Sequence, residues 1–218
     1  MKNLLHRSVL LLFLFPVSIS AEELYEYFPT QVHADEKYVF YAHGLIVEGR
    51  DETPGHPECG SDDVPSIKNA LFAIGGFNLI AHHRPQATDI DEYVDLFSSW
   101  VGSLLDSGVP ASAITLIGFS RGSQLTAMTA ARFNDHEINT VLMAGCFNGD
   151  MALEPPITLG GRLLSIYETT DVPGSCRKLA ARSKLATFDE YHITTGLKHG
   201  AFYRPSESWL GHIRQWLM

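Results

Sequence analysis

Five short, almost wholly apolar runs recur along the chain with helix-patterned segments between them, and this alternation constrains the fold more than any other feature. The runs are 37–43 (KYVFYAH), 78–82 (NLIAH), 114–119 (ITLIGF), 140–144 (TVLMA) and 162–167 (RLLSIY), each bounded by Gly, Asn, Asp or Pro. Runs this compact and continuous suit strands buried on both faces, as in a parallel sheet. A sixth, 188–194 (FDEYHIT), alternates more and is expected nearer an edge. Ile90, Tyr93, Val94, Phe97, Val101, Leu104 and Leu105 recur at helical spacing, so one face of that segment is apolar. Thr88 with Asp91 predicts its start as a capping box, and Gly108 with Pro110 marks its stop. Residues 123–133 read as a second helix, and Trp209, Leu210, Ile213, Trp216 and Leu217 as the apolar face of a C-terminal one. The alternation predicts an α/β domain: a predominantly parallel sheet with right-handed crossovers and helices on both faces. Residues 48–65, rich in Gly, Pro and Asp, form the longest irregular stretch and follow a strand end, where such proteins build their sites.

The first twenty residues stand apart from that domain. Lys2 and Arg7 precede an apolar run from Val9 to Val17, followed by Ser18-Ile19-Ser20-Ala21. A basic head, a short apolar core and small residues at the cleavage positions make a secretory signal peptide, with cleavage expected after Ser20 and one domain over 21–218. The run falls short of the roughly 20 residues that span a bilayer, and no cysteine follows it for a lipid anchor. The segment carries two of the chain's 16 bases and none of its 25 acids, so the remainder has 14 bases against 25 acids, a net charge of -11. That balance argues against nucleic acid as a partner. The expected location is periplasmic or secreted, an oxidising setting in which Cys59, Cys146 and Cys176 have the opportunity to pair. Cys146 and Cys176 follow neighbouring strands, so a bridge between them would brace the loop that contains Asp171. Cys59 is the competing partner for either.

The chemistry concentrates at Gly118-Phe119-Ser120-Arg121-Gly122, a G-x-S-x-G pattern between a strand and a helix. A serine there sits on a sharp strand-to-helix turn, exposed for attack, with a helix N-terminus behind it that favours developing negative charge. A serine hydroxyl needs a base to take its proton, and the base needs an orienting acid. Asp171 follows the strand ending at Tyr167, and His199 follows the last strand, giving the order Ser, acid, His. Glu168 and Asp189 are the rival acids, but the first lies too close to its strand end and the second inside the next strand. His43 reads as a loop organiser. His82, His83 and Arg84 read as structural, since adjacent strand residues point to opposite faces and chelate poorly. The pair Asp62-Asp63 and the group Asp89, Asp91 and Glu92 read as solvated faces or helix caps.

At these residues the sequence resembles the α/β-hydrolase superfamily in its small capless form, like carboxylesterases and dienelactone-hydrolase-like enzymes. The likeness spans nearly the whole domain and is anchored at the elbow of Ser120, at His43-Gly44, at the Asp171 turn and at His199. It implies an oxyanion hole built from the backbone amides of Leu45 and Arg121, each donor worth about 2.7–4 kcal/mol of barrier. No insertion is long enough for a substantial lid. The resulting expectation is an exported serine hydrolase cleaving small-molecule carboxylic esters through Ser120, Asp171 and His199, with no metal or organic cofactor and no stable membrane anchor. A thioesterase, peptidase or acyltransferase would use the same triad, and a non-catalytic binding protein or a membrane-associated lipid hydrolase would use the same fold. Residues 48–65 with Phe147, Asn148 and Met151 are expected to shape the pocket.

Overall fold

Parallel strands bring every strand's C-terminal end to one edge of a sheet, so the strand directions decide where a site forms. The computed structural model describes residues 22–49, 52–151 and 153–218; the expected export segment at 1–20 lies outside the described residues. In chain order the elements are β1 (Leu24–Tyr25), β2 (Tyr38–Ala42), β3 (Gly55–His56), β4 (Gly60–Ser61), α1 (Val64–Phe72), β5 (Asn78–Ile80), α2 (Ile90–Asp106), β6 (Ile114–Phe119), α3 (Arg121–Ala131), β7 (Asn139–Met143), β8 (Arg162–Glu168), α4 (Arg177–Arg182), β9 (Thr187–Ile193) and α5 (Glu207–Leu217). Seven strands form one sheet in the order β1-β5-β2-β6-β7-β8-β9, and each pairing in it is parallel.

The near-continuous apolar runs are explained by burial on both sides. Along β2, Val39 and Tyr41 join a core with α1 and α5, while Tyr38, Phe40 and Ala42 join a second core with α2, α3 and α4. β6, β7 and β8 alternate in the same way, with Ile117, Val141 and Leu164 in the first core and Leu116, Leu142 and Leu163 in the second. β9, the more alternating run, is an edge strand with most of its residues half-buried or exposed. Helix α5 closes the first core with Trp209, Leu210, Ile213 and Trp216. Each such side chain contributes about 1.5–3 kcal/mol by leaving water.

Three local features differ from the sequence expectation. Asp89, not Thr88, caps α2: its carboxylate accepts from the amides of Asp91 at 2.9 Å and Glu92 at 3.0 Å. A carboxylate at this position adds charge–dipole stabilisation that a threonine lacks, and the Thr88 hydroxyl turns back to the Pro85 carbonyl at 2.7 Å. The stretch expected to be irregular contains the small antiparallel pair β3–β4 and the start of α1. Asp63 caps α1, accepting from the Ser66 amide at 3.1 Å, as one of the two readings of that acidic pair holds. Its neighbour Asp62 is neither solvated nor a cap. It is 1% exposed, and neither carboxylate oxygen has a hydrogen-bond partner among the described residues. Burial and the Asp63 charge push its carboxyl up to about 7. The Asp63 amide, committed to the Tyr203 carbonyl at 2.8 Å, offsets only part of this.

Cys146 and Cys176 form a disulfide across the loops that follow β7 and β8, with a Cα–Cα distance of 5.3 Å. Cys59 keeps a free thiol. Among the described residues no helix is long and apolar enough to cross a membrane.

Candidate active site

Ser120 sits between β6 and α3 at φ 54° and ψ -116°, a backbone conformation that costs a non-glycine residue on the order of 1–3 kcal/mol. Its surroundings hold it there. The Ser120 amide donates to the Met143 carbonyl on β7 at 2.9 Å, and buried Ser123 accepts from the Met143 amide at 3.1 Å. Both motif glycines are required by close approach. A Cβ on Gly118 would lie 2.4 Å from the Gly122 carbonyl oxygen, and one on Gly122 would lie 1.9 Å from that of Ala42. The elbow therefore forms only where the helix start can press against β2 and β6.

Asp171 and His199 come together although 28 residues separate them: Nδ1 of His199 lies 2.6 Å from Oδ2 of Asp171. A carboxylate accepts only, so Nδ1 carries the proton and Nε2 is left as the basic nitrogen. The other oxygen of Asp171 accepts from the Val172 amide at 2.8 Å. The acid's side chain is nearly buried, at 7% exposure, while the imidazole is 25% exposed. The Phe119 ring lies 4.8 Å from the imidazole, centroid to centroid, and limits its tilt.

Glu168, weighed as a rival acid, does something else. One of its oxygens accepts from the amide and hydroxyl of Thr170, and the other from the amides of Thr195 at 2.9 Å and Gly196 at 3.0 Å. One buried carboxylate thus ties the turn carrying Asp171 to the turn carrying His199. Burial raises its pKa, but the hydrogen bonds from Thr170, Thr195 and Gly196 outweigh burial and bring it to about 2. Because the folded value is depressed below 4.5, the stabilisation is complete above that pH and is lost as pH falls towards 2. Glu168→Gln is expected to remove about 3 kcal/mol at neutral pH and to flatten the acid limb between those values. Urea midpoints measured at several pH values test this, and wild-type and variant curves that run parallel would refute it.

Asp189, the second rival, accepts from the Trp216 indole at 3.1 Å and takes no part in the site.

The segment after β2 is held by a buried set. His43 is 1% exposed; its Nε2 accepts from the Arg84 amide at 2.9 Å, so the proton lies on Nδ1, 2.8 Å from the Gly44 carbonyl. Burial first, and then the Arg84 charge, keep His43 well below the usual imidazole range and neutral. The Arg84 guanidinium, 0% exposed, donates to the carbonyls of His43 and Gly44 and to Glu48 at 3.0 Å. His83 meets the Val47 carbonyl at 2.8 Å. With those carbonyls turned towards Arg84, the Leu45 amide donates to no loop or side-chain acceptor among the described residues, and the same holds for the Arg121 amide.

Two cavities meet at Ser120. The larger, about 550 Å³, is lined by His199, Tyr203, His56, Gln86, Glu48 and Leu45 among others. The smaller, about 250 Å³, is lined by Leu45, Arg121, Gly145, Phe147, Met151 and Leu153 among others. Residues 48–65 contribute Glu48 and His56, and Phe147 and Met151 border the second cavity; Asn148 lines neither. Gln86, after β5, had no signal in the sequence. Among the described residues there is no cluster of three His, Cys, Asp or Glu side chains able to hold a metal ion.

No family model matches the sequence, and no curated protein matches it. Solved structures do. A monoacylglycerol lipase from Paleococcus ferrophilus is similar at a TM-score of 0.55 and 14% identity, over 83% of this chain and 93% of that one. A protein of unknown function from Agrobacterium tumefaciens, described as a putative α/β hydrolase, gives 0.54 and 16% over 84% of each. The RedJ thioesterase from the prodiginine pathway of Streptomyces coelicolor gives 0.54 and 12%, over 93% of this chain and 91% of that one. Identities this low speak for architecture alone, and the architecture agrees with the parallel sheet and the strained turn at its centre: this chain has the α/β-hydrolase fold.

Proposed function

We propose that this chain is an exported serine hydrolase of carboxylic esters, working through Ser120, His199 and Asp171 and an acyl-enzyme. The observation that carries the reading is geometric. Ser120 stands on a strained elbow and lines one cavity with His199, whose far nitrogen is bonded to Asp171. Nε2 of His199 takes the hydroxyl proton as Oγ of Ser120 bonds to the acyl carbon. The oxyanion that forms accepts from the Leu45 and Arg121 amides. Collapse breaks the bond to the leaving oxygen, which receives the proton from His199. Water, deprotonated by the same nitrogen, then attacks the acyl-enzyme and releases the acid and free Ser120. The steps draw on no metal or organic cofactor.

Export is supported by the basic-then-apolar segment at 1–20 and by a disulfide, which persists in oxidising compartments. A small-molecule ester suits an open site, and the acidic balance disfavours nucleic acid. The test is labelling with a fluorophosphonate followed by peptide mass mapping. One adduct on the peptide containing Ser120 is expected. A chain that stays unlabelled, or labels elsewhere, overturns the reading.

A further inference from the structure

We infer that the two cavities divide the ester between them, and that the substrate is a short-chain acyl ester of a bulky, hydroxylated alcohol; this rests on the serine-hydrolase reading above. The division follows from where the proton must go. Nδ1 of His199 is committed to Asp171, so Nε2 alone delivers the proton to the leaving oxygen. That oxygen therefore lies on the side of Ser120 that His199 occupies, in the larger cavity. The acyl arm points to the other side of the same carbon, into the smaller cavity, which His199 does not line.

The two walls differ in their polar groups, although the leaving-group side also has apolar members in Ile46, Ala87 and Phe119. On the leaving-group side, Nδ1 of His56 accepts from the amides of Glu58 and Cys59 at 3.2 Å each, which leaves Nε2–H of a half-buried ring as a donor. Gln86 adds a side-chain amide to the same wall. Such groups suit an alcohol rich in hydroxyls. The acyl side is bordered by Ala144, Gly145, Phe147, Met151 and Leu153, and two of its polar members, Arg121 and Gln124, bond to each other at 3.3 Å. Its volume of about 250 Å³ is less than half the roughly 550 Å³ of the leaving-group cavity.

This smaller cavity is bounded by a braced wall. Phe147 and Asp150 exchange amide–carbonyl bonds at 2.6 and 3.1 Å around Asn148 and Gly149, whose φ values are 53° and 92°. Two left-handed central residues make the tight hairpin turn that Asn-Gly favours. The Gly149 carbonyl accepts from the amides of Lys178 and Leu179, Asp150 pairs with Arg182 through both its oxygens, and Cys146 is disulfide-bonded to Cys176. A wall fixed at these points sets an upper limit on acyl length.

The experiment uses the folded chain and two ester series. With p-nitrophenyl esters from acetyl to hexadecanoyl, kcat/KM is expected to peak at or below octanoyl and to fall at least tenfold by dodecanoyl. With butyryl esters of methanol and of a methyl glucoside, the glucoside ester is expected to be hydrolysed at least tenfold more efficiently. Met151→Ala should move the length limit upwards by about two carbons without altering the glucoside-to-methanol ratio. If that variant does not fold, Phe147→Ala at the exposed rim serves instead. His56→Ala should lower the ratio at least fivefold without moving the length limit. Fluorophosphonate labelling with a preference for hexadecanoyl, or with equal rates on the two butyryl esters, overturns the division alone. No labelling and no hydrolysis overturns the hydrolase reading, and the division with it.

Discussion

Ser120→Ala is expected to lower ester hydrolysis by roughly 10⁴–10⁶-fold and to abolish fluorophosphonate labelling, with the thermal midpoint nearly unchanged. The contrast between activity and stability is the informative part. The hydrogen bonds that fix residue 120, from its amide to Met143 and from the Gln124 amide to its carbonyl, are backbone bonds that alanine keeps, and alanine at φ 54° bears much the same backbone strain as serine. The amide of residue 120 still donates to Met143, so the elbow persists without the hydroxyl. His199→Ala should cost nearly as much, because the members of such a set act as a unit and their losses do not add. Asp171→Asn should cost about 10⁴-fold by favouring the wrong imidazole tautomer. Steady-state hydrolysis of p-nitrophenyl butyrate measures all three. A Ser120→Ala protein retaining a tenth of the wild-type rate would end the assignment.

The second large effect is expected at Arg84, which touches no substrate. Arg84→Ala leaves Glu48 in a buried site without its cation and takes donors from the carbonyls of His43 and Gly44. Removing one partner of a buried pair typically costs about 3–5 kcal/mol, because the remaining charge is stranded. The activity loss should exceed what partial unfolding explains, since the segment that presents the Leu45 amide is no longer held. Replacing the pair together, Arg84→Met with Glu48→Leu, is expected to recover most of the stability and little of the activity. Chemical denaturation and kcat measured on the folded fraction separate the two effects. Recovery of activity along with stability would show that Arg84 serves packing alone.

Much of this was legible in the sequence, for a physical reason. Strands buried on both faces must be almost uniformly apolar, so β2, β6, β7 and β8 announced themselves within a residue or two of their observed ends. The elbow was legible because steric contact restricts Gly118 and Gly122 to the smallest residue. The pairing of Cys146 with Cys176 was one open reading, with Cys59 as the competing partner, and the adjacency of β7 and β8 decides it. What escaped was set by tertiary context. A two-residue strand such as β1 has too few residues to show a period, and α1 buries only Val64, Ile67, Lys68 and Leu71, a stripe that a Pro at its start obscures. Glu168 was weighed only as a rival orienting acid, because its five backbone and hydroxyl donors come from two turns. Asp62 looked like half of a solvated pair, and nothing in a string of letters distinguishes the buried half from the capping one.

The Cys146–Cys176 bond ties the wall of the smaller cavity to the start of α4, whereas Glu168 ties Asp171 to His199 without it. The turns of Asp171 and His199 are thus fastened by hydrogen bonds alone, whereas the wall of the smaller cavity is fastened by the disulfide in addition to the Gly149 and Asp150 contacts. Reduction would therefore release one of several ties on that wall and leave the bonds of Glu168 between the two turns intact.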